Sequence, residues 1–270
     1  MFYAGVDVGS TTTKAAIIDV NRALVGTSLL TTGADVTLAA QRGFDEAVTA
    51  ARIEAHDVNM IIGTGYGRYK VTFGHAQITE ISCHAKGASF LFPNTRTLLD
   101  IGGQDTKAIR VGEGGEVLEF AMNDKCAAGT GRFLDASAQV LEIPLDELGP
   151  TGLRARAPIK LSNVCTVFVE SEILSHTARG RSVEDIVGGV HRAIASRSVA
   201  LMRRVGLEEE VTFTGGVSKN IGMQRAIEEA LGTTLNVSEL SQHMGAIGGA
   251  LFALERSEGD HAPRGAEVSA

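Results

Sequence analysis

The chain has 270 residues, of which 44% are hydrophobic and 21% charged, and its formal net charge is −7. This length allows two lobes of about 100–150 residues each. No apolar stretch approaches the roughly 20 residues that span a bilayer, the first residues lack the basic region of a signal peptide, and no basic patch suggests nucleic-acid binding. We therefore expect a cytoplasmic globular protein that binds neither membrane nor nucleic acid.

The first 95 residues predict a β-meander followed by helices alternating with a further strand. Apolar residues alternate or run continuously where we expect strands, and recur every three to four residues where we expect helices. Pro93 cannot continue a helix and ends the last of these elements. The expected elements are strands at residues 2–8, 14–19 and 23–30, a helix at 37–54, a short strand at 60–62 and a helix at 82–92.

The tip of the first predicted hairpin is repeated later in the chain. Residues 7–14 read DVGSTTTK, and residues 100–107 read DIGGQDTK, with Asp, Gly, Thr and Lys in the same four positions. Each copy is flanked by apolar runs, so the chain contains two similar strand–turn–strand hairpins. Small turn residues let backbone N–H groups approach an anion, and hydroxyls add donors. Two such tips would clamp a polyphosphate, with Asp7 and Asp100 holding its Mg²⁺ mostly through water. The alternative is a chance similarity, in which each Asp only caps a turn.

The second hairpin starts a new round of strands and helices, which indicates an α/β protein built by duplication. We place the boundary between the lobes at residues 94–96. The N-terminal lobe would comprise residues 1–95 together with a C-terminal helix at 245–256, and the C-terminal lobe would comprise residues 96–244. Residues 257–270 would form a disordered tail. The elements expected beyond the second hairpin are a strand at 117–122, helices at 132–141, 168–179, 183–205 and 221–231, a strand at 234–237 and a helix at 246–254.

A third loop is glycine-rich and lies between a strand and a helix. Residues 211–220 read VTFTGGVSKN, in which a β-rich run leads to Gly215 and Gly216 and then to a helical pattern. A glycine pair here lets a nucleotide lie against bare backbone, with phosphate favoured at the helix N-terminus. Neither the Walker A pattern nor a Rossmann GxGxxG is present, and GTGYG at residues 63–67 lacks that spacing.

Two of the three cysteines share a sequence context. Cys126 and Cys165 each lie in a small or polar segment immediately before an amphipathic helix, where the helix dipole favours a thiolate. Cys83 lies within a helical pattern, and we interpret it as a buried core residue rather than a ligand. Two thiolates cannot supply the four ligands of a tetrahedral Zn²⁺ or a [4Fe–4S] cluster, but two identical chains would. A cluster across a two-fold axis is the economical hypothesis, and an intrachain disulfide is its rival.

Several of these segments together resemble one family. They read DVGSTTTK, GTGYGR, EISCHAKGA, DIGGQDTK, NDKCAAGTGRFLD, CTVFVESE and FTGGVSKN, and the likeness covers roughly residues 3–255. They are similar to the activator component of 2-hydroxyacyl-CoA dehydratases and to the ATPase subunits of ATP-dependent benzoyl-CoA reductases. This resemblance implies an actin-like and sugar-kinase-like ATPase fold with ATP between two lobes. It also implies a homodimer that holds one [4Fe–4S] cluster through two cysteines of each protomer, at the positions of Cys126 and Cys165.

The same resemblance assigns nucleotide-binding residues. Lys219 and His243 stand where the family varies, and we assign them no role. The hydrolytic water would be polarised by Asp7, Asp100 or Gln104. The residues implied at phosphate are Gly9, Ser10, Thr11, Thr12, Thr13, Lys14, Gly102, Gly103 and Asp105, and those implied at adenosine are Gly215, Gly216, Asn220 and Gln242.

The activity implied by the resemblance is an anaerobic, ATP-driven transfer of one electron. A ferredoxin or flavodoxin would reduce the cluster, and the electron would pass to an iron–sulfur dehydratase or reductase component. We favour a dehydratase activator; the alternative is a benzoyl-CoA reductase ATPase subunit, whose dimer could be a heterodimer. From different classes, a small-molecule kinase of the same fold would explain the hairpins but not the paired cysteines, and a non-catalytic nucleotide sensor would show slow hydrolysis without reducing a partner.

Overall fold

The computed structural model describes residues 1–161 and 166–261. The chain divides into two compact units: unit 1 contains Met1–Gly87 and Gly245–Ala270, and unit 2 contains Ala88–Met244. The sequence predicted a boundary at residues 95 and 96, whereas the units divide at Gly87 and Ala88, inside a helix. Within the described residues, no helix is both long and apolar enough to cross a membrane.

Unit 1 is built on a five-stranded sheet. Its central strand is buried along most of its length, so its sequence is an apolar run rather than an alternating pattern. The strands are β1 (Phe2–Val8), β2 (Thr12–Asp19), β3 (Leu24–Thr31), β4 (Val58–Thr64) and β5 (Ala76–Gln77). They lie in the order β3-β2-β1-β4-β5; β2 is antiparallel to β1 and to β3, and β4 is parallel to β1 and to β5.

Three helices flank this sheet: α1 (Val36–Ala51), α2 (Glu80–Leu91) and the C-terminal α8 (Met244–His261). α1 buries Phe44 in a cluster with residues of β1 and β2. Glycines let α8 lie close to its neighbours. A Cβ atom on Gly5 would lie 2.0 Å from the Ala246 carbonyl oxygen, and one on Gly248 would lie 1.8 Å from the Cys83 carbonyl oxygen. The backbones of α8, β1 and α2 therefore meet without intervening side chains.

Unit 2 repeats the topology of unit 1. Its strands are β6 (Thr97–Ile101), β7 (Thr106–Val111), β8 (Val117–Asn123), β9 (Val211–Thr214) and β10 (Leu235–Asn236). They lie in the order β10-β9-β6-β7-β8, which is the order of unit 1 with β6 to β10 in the places of β1 to β5. The pairings correspond as well, because β7 is antiparallel to β6 and to β8, while β9 is parallel to β6 and to β10. The predicted duplication is therefore present at the level of strand order and direction.

The helices of unit 2 are α3 (Gly131–Leu141), α4 (Leu148–Leu153), α5 (Thr166–Ala178), α6 (Val183–Arg204) and α7 (Ile221–Leu231). α6 is the longest and contributes many of the buried residues, including Ile186, Val190 and Ile194. Ser182 caps α6 by accepting a hydrogen bond from the backbone N–H of Asp185. Phe133 of α3 and Phe213 of β9 are buried in the same hydrophobic core.

Two expectations differ from the structure. The sequence predicted no helix at α4, because Gly149 and Pro150 weaken the helical pattern there, but tertiary packing buries Leu148 and Thr151. The predicted disordered tail is wrong for residues 257–261, which belong to α8, because the helix keeps a buried face as far as Ser257. The remaining tail, residues 262–270, lies outside the described residues.

A buried histidine in unit 2 predicts acid sensitivity. A Cβ on Gly152 or Gly222 would lie 2.4 Å from the His191 ring, so α4, α6 and α7 enclose it tightly. Burial lowers the pKa of His191 from 6.5 to about 4. Since the unfolded chain takes up this proton more readily, stability is unaffected above about pH 6.5 and falls by roughly 3 kcal/mol as the pH drops towards 4. His191→Leu should flatten this part of the dependence of unfolding free energy on pH.

The exposed His56 provides the control, since its side chain is 83% accessible. His56→Gln should keep the acid dependence of the wild type in urea unfolding between pH 4 and 7. If the unfolding free energy of His191→Leu depended on pH as strongly as that of the wild type, His191 would not be the source of the acid sensitivity.

Candidate nucleotide site and cysteine loop

The first hairpin places a carboxylate opposite a lysine. Asp7, near the end of β1, pairs in register with Lys14 of β2. The Lys14 Nζ lies 3.0 Å from Asp7 Oδ2, and both side chains are largely buried. Gly9 N–H donates to the Thr12 carbonyl and closes the turn, which leaves Ser10 and Thr11 exposed at the tip. The tip therefore presents hydroxyls beside a lysine.

Thr13 points elsewhere. Its side chain is fully buried, and its hydroxyl lies 3.0 Å from that of Thr32, whose hydroxyl in turn donates to the Gly9 carbonyl at 2.8 Å. The Thr13 hydroxyl thus supports the turn from inside unit 1. That Thr13 binds phosphate remains a prediction.

The Asp7 carboxylate is enclosed on several sides. It is 2% exposed, and His84 of α2 brings Nε2 to 3.8 Å from Oδ2. A Cβ on Gly65 would lie 2.5 Å from Oδ1, and one on Gly245 would lie 2.8 Å from Oδ2. Burial raises the pKa of Asp7, but Lys14 and His84 lower it by more, so the pKa lies well below its usual range. The carboxylate is therefore held charged in a site without room for another side chain.

The second hairpin repeats this arrangement. Asp100 of β6 pairs in register with Lys107 of β7, and the Lys107 Nζ lies 3.5 Å from Asp100 Oδ2 and 2.5 Å from Asp105 Oδ2. Asp100 is 3% exposed, and its Oδ1 accepts a hydrogen bond from the Thr214 hydroxyl at 2.9 Å. Gly102 N–H donates to the Asp105 carbonyl and closes the turn. Lys107 belongs to the site by this geometry, although the sequence analysis gave it no role.

The correspondence extends to the neighbouring parallel strands. Asp7 lies beside Thr64 at the end of β4, and Asp100 lies beside Thr214 at the end of β9. Each threonine is followed by a glycine with positive φ, +87° at Gly65 and +84° at Gly215. The GTGYG segment at residues 63–67 is thus the structural counterpart of the TGG loop at residues 214–216. The sequence alone did not predict this correspondence, because the two loops do not share a known glycine motif. The signal was a Thr-Gly pair after an apolar strand, present in both halves.

The predicted adenosine residues lie together in unit 2. A Cβ on Gly215 would lie 2.3 Å from the Ile101 carbonyl oxygen, and one on Gly216 would lie 3.1 Å from Gln242 Nε2. Asn220 caps α7, because its Oδ1 accepts from the backbone N–H of Met223 at 3.0 Å. This capping is a structural role that the sequence reading did not give to Asn220.

The Cys126 segment is a turn held by side chains. Asn123, the last residue of β8, donates from Nδ2 to the carbonyls of Cys126 at 2.7 Å and Ala128 at 3.1 Å. Thr130 caps the turn by donating to the Ala127 carbonyl. α3 begins at Gly131, so the segment that contains Cys126 lies directly before a helix, as predicted, with this turn between Cys126 and the first residue of α3. Cys126 is exposed.

The other two cysteines differ from Cys126. Cys83 is buried, and burial raises the pKa of its thiol to about 12, as befits a packing residue. Cys165 lies outside the described residues, so its predicted role stays a prediction. Among residues 1–161 and 166–261, no group of three or more His, Cys, Asp or Glu could hold a metal ion on its own.

The turn of the second hairpin is hydrogen-bonded directly to the start of α3. The backbone N–H groups of Gly131 and Arg132 donate to the carbonyls of Gly102 and Gly103, each at 2.9 Å. The Thr106 hydroxyl donates to the Gly129 carbonyl at 2.7 Å. A shift of this turn would therefore be transmitted to the end of the Cys126 segment.

A duplicated α/β unit with paired Asp–Lys hairpins defines a nucleotide-binding fold of the actin-like and sugar-kinase-like class. A glucokinase from Streptomyces griseus shows the same fold, with a TM-score of 0.61 over 94% of this chain and 100% of that one, at 14% identity. The chain belongs to the BadF/BadG/BcrA/BcrD ATPase family, which it matches over residues 4–253. The predicted fold class, family and ATPase assignment are thereby confirmed.

Three relatives are similar along nearly their whole length. The (R)-2-hydroxyglutaryl-CoA dehydratase activating ATPase of Acidaminococcus fermentans is 42% identical, covering 95% of this chain and 98% of the relative. The solved activator of the 2-hydroxyisocaproyl-CoA dehydratase from Clostridium difficile, with bound ADPNP, has a TM-score of 0.91 at 38% identity, covering 96% of this chain and 97% of that chain. A benzoyl-CoA reductase subunit of Thauera aromatica is 30% identical, covering 94% of each chain.

The two hairpin aspartates can be tested by isosteric substitution. We expect Asp7→Asn and Asp100→Asn each to lower Mg²⁺-dependent ATP hydrolysis on the order of 100-fold, since each substitution keeps the shape of the side chain but removes the charge expected to hold the metal ion. Steady-state phosphate release measures the effect. Asp19→Asn is the matched control, because Asp19 only caps the β2–β3 turn by accepting from the N–H groups of Asn21 and Ala23. Normal ATP hydrolysis in both hairpin variants would show that the two aspartates only cap their turns.

Proposed function

We propose that this chain hydrolyses ATP to drive a low-potential electron into an iron–sulfur acyl-CoA dehydratase. One observation carries the proposal: the phosphate turn at Gly102 and Gly103 is hydrogen-bonded to the start of α3, directly after the Cys126 segment. A nucleotide site alone would not need such a connection. The near full-length similarity to two activators of 2-hydroxyacyl-CoA dehydratases supports the same function.

The residues proposed to bind the nucleotide have different roles, which follow from the chemistry of their side chains. Asp7 and Asp100 would hold Mg²⁺, a role that suits buried carboxylates that each lie beside a lysine. Lys14 and Lys107 lie beside these aspartates and neutralise phosphate charge. The exposed hydroxyls and backbone N–H groups at residues 9–12 and 102–105 bind the phosphate oxygens.

Adenosine lies against Gly215 and Gly216, where the missing side chains leave bare backbone, with Gln242 beside the base. Gln104 is half-buried in the second turn and remains, with the two aspartates, a candidate for polarising the hydrolytic water.

The cysteine residues supply ligands for the redox group. Cys126 presents an exposed thiol from a turn that Asn123 and Thr130 hold in place, and Cys165 is proposed as the second ligand of the chain. Two copies of the chain would complete a four-thiolate set, which makes a homodimer part of the proposal. The [4Fe–4S] cluster, when bound, supplies a one-electron carrier of low potential.

The residues of unit 2 couple the two sites. When the turn at residues 102–105 closes on phosphate, its carbonyls move the first N–H groups of α3, and α3 carries the Cys126 turn with it. The electron donor is proposed to be a ferredoxin or flavodoxin, and the acceptor an iron–sulfur dehydratase component. The chain is proposed to work in the cytoplasm.

A second candidate function is that of an ATPase subunit in a benzoyl-CoA reductase. The 30% identity to the reductase subunit of Thauera aromatica favours it over any unrelated ATPase. In that case the partner across the cluster could be a different polypeptide, giving a heterodimer. The alternative of a kinase with the same fold would explain the hairpins but not the exposed cysteine in the Cys126 turn.

The cluster hypothesis predicts a defined metal content. The anaerobically purified wild type should contain about four iron and four sulfide per dimer, and Cys126→Ser or Cys165→Ser should lose them. The same substitutions should loosen the dimer, because a shared metal group stabilises it. Iron analysis and analytical ultracentrifugation measure the two effects.

Cys83→Ser is the control for these substitutions, since the Cys83 thiol is buried and remains protonated; it should keep both iron and dimer. Four iron per monomer, or an intact cluster in Cys165→Ser, would overturn the shared cluster. ATP hydrolysis that survives cluster loss would agree with two separate sites.

Asn123 offers a subtler test of the Cys126 turn. Asn123→Leu removes the two hydrogen bonds to the carbonyls of Cys126 and Ala128, so we expect iron to be lost several-fold faster to a chelator, with ATP hydrolysis little changed. Asn94→Leu is the control, because the Asn94 amide bonds only to the exposed Glu210 carboxylate. Equal rates of iron loss in wild type and Asn123→Leu would mean that this turn needs no support from Asn123.

A further inference from the structure

His84 lies in the interior of unit 1, next to the Asp7 carboxylate. Its side chain is 8% exposed, and its Nε2 lies 3.8 Å from Asp7 Oδ2. The ring reaches this position from α2, whereas Asp7 lies on β1, so the contact joins two elements that are distant in sequence. A histidine among packed helices is most often a core residue, but the atom that His84 faces is the carboxylate of the proposed Mg²⁺ site.

The surroundings of this contact are kept free of side chains. A Cβ on Gly245, the second residue of α8, would lie 2.8 Å from both the His84 Nε2 and Asp7 Oδ2. Any larger residue at this position would therefore separate the two groups. A Cβ on Gly65 would lie 2.5 Å from the other carboxylate oxygen. The carboxylate and the imidazole thus face each other across a gap that glycines leave open.

Lys14 and His84 approach the same oxygen of Asp7 but differ in what else they can do. Lys14 lies at the hairpin tip and is proposed to bind phosphate, so its ammonium has two anionic neighbours. His84 belongs to α2, outside the hairpin. In unit 2 the corresponding carboxylate, Asp100, accepts a hydrogen bond from the Thr214 hydroxyl and lies beside its lysine. Each aspartate therefore has a polar neighbour from outside its hairpin in addition to its lysine.

We propose that His84 is a positioning residue, which fixes the Asp7 carboxylate in the orientation that holds Mg²⁺-bound nucleotide. The inference rests on the proposed function of Asp7. His84 itself does not touch the nucleotide or the metal. Its Nε2 lies 3.8 Å from Asp7 Oδ2, so the ring bounds the carboxylate on that side and keeps it in one rotamer when Lys14 turns towards phosphate.

Nucleotide binding with and without Mg²⁺ tests this role. In calorimetric titrations with ADPNP, His84→Leu should weaken the affinity about tenfold in Mg²⁺, or roughly 1.4 kcal/mol, and leave the affinity in EDTA unchanged. His84→Gln should stay close to wild type, because its amide N–H can reach the same oxygen. His75→Leu is the matched control: it removes a histidine of unit 1 whose Nδ1 accepts from Ile61 N–H, and it should bind like wild type.

The double variant Asp7→Asn with His84→Leu separates positioning from general damage. If His84 acts through Asp7, adding His84→Leu to Asp7→Asn should cause no further loss of Mg²⁺-dependent affinity. An additive loss, or an equal loss with and without Mg²⁺, would overturn the positioning role. If Asp7→Asn loses the Mg²⁺ dependence while His84→Leu keeps it, the inference fails and the proposed function stands. If Asp7→Asn keeps full Mg²⁺-dependent binding, the proposed role of Asp7 fails, and with it the inference.

Discussion

The nucleotide-binding elements depend on one interaction, a buried aspartate opposite a lysine across an antiparallel pair of strands. An isolated buried carboxylate would take up a proton rather than remain charged. In the first hairpin Lys14 faces Asp7 and lowers the pKa of its carboxylate, and the second hairpin repeats the register with Asp100 facing Lys107. Because a shift of one residue would turn each side chain to the opposite face, the register and the charge stabilise each other. The same pairing explains why the repeat preserves Asp and Lys; Gly9 and Thr13 recur as Gly102 and Thr106, while the other residues between Asp and Lys differ.

The second constraint is steric and comes from the parallel strand beside each aspartate. β4 and β9 both end in threonine, and the glycine that follows takes a positive φ while its Cα lies against the hairpin. At Gly65 an added Cβ would meet the Asp7 carboxylate, and at Gly215 it would meet the Ile101 carbonyl. Only glycine satisfies both requirements at once. The two units have therefore kept the strand end and the glycine together, even though the loops beyond them differ.

The sequence predicted the duplication, the class of fold and most of the larger elements, because hairpin tips and apolar periodicity are local patterns. It did not predict His84, since helical spacing in α2 does not say which neighbour each face meets. The correspondence between Thr64-Gly65 and Thr214-Gly215 was missed for a related reason: it depends on which strands pair, and pairing is not local. The sequence predicted the helix after Cys126 but not the turn that precedes it, because that turn is held by the Asn123 side chain and such contacts leave no periodic pattern in the sequence.

The two proposed sites make opposite demands on solvent, and unit 2 meets both of them between Asp100 and Cys126. Asp7 and Asp100 are almost fully buried, so their carboxylates are shielded from bulk water. Cys126 is exposed, as a ligand shared with a second molecule must be. Between Asp100 and Cys126 lie only β7, β8 and their turns, and two backbone hydrogen bonds tie the phosphate turn to the start of α3. Backbone bonds of this kind survive side-chain substitution, so unit 2 can keep the connection while the exposed residues around Cys126 change to suit a partner.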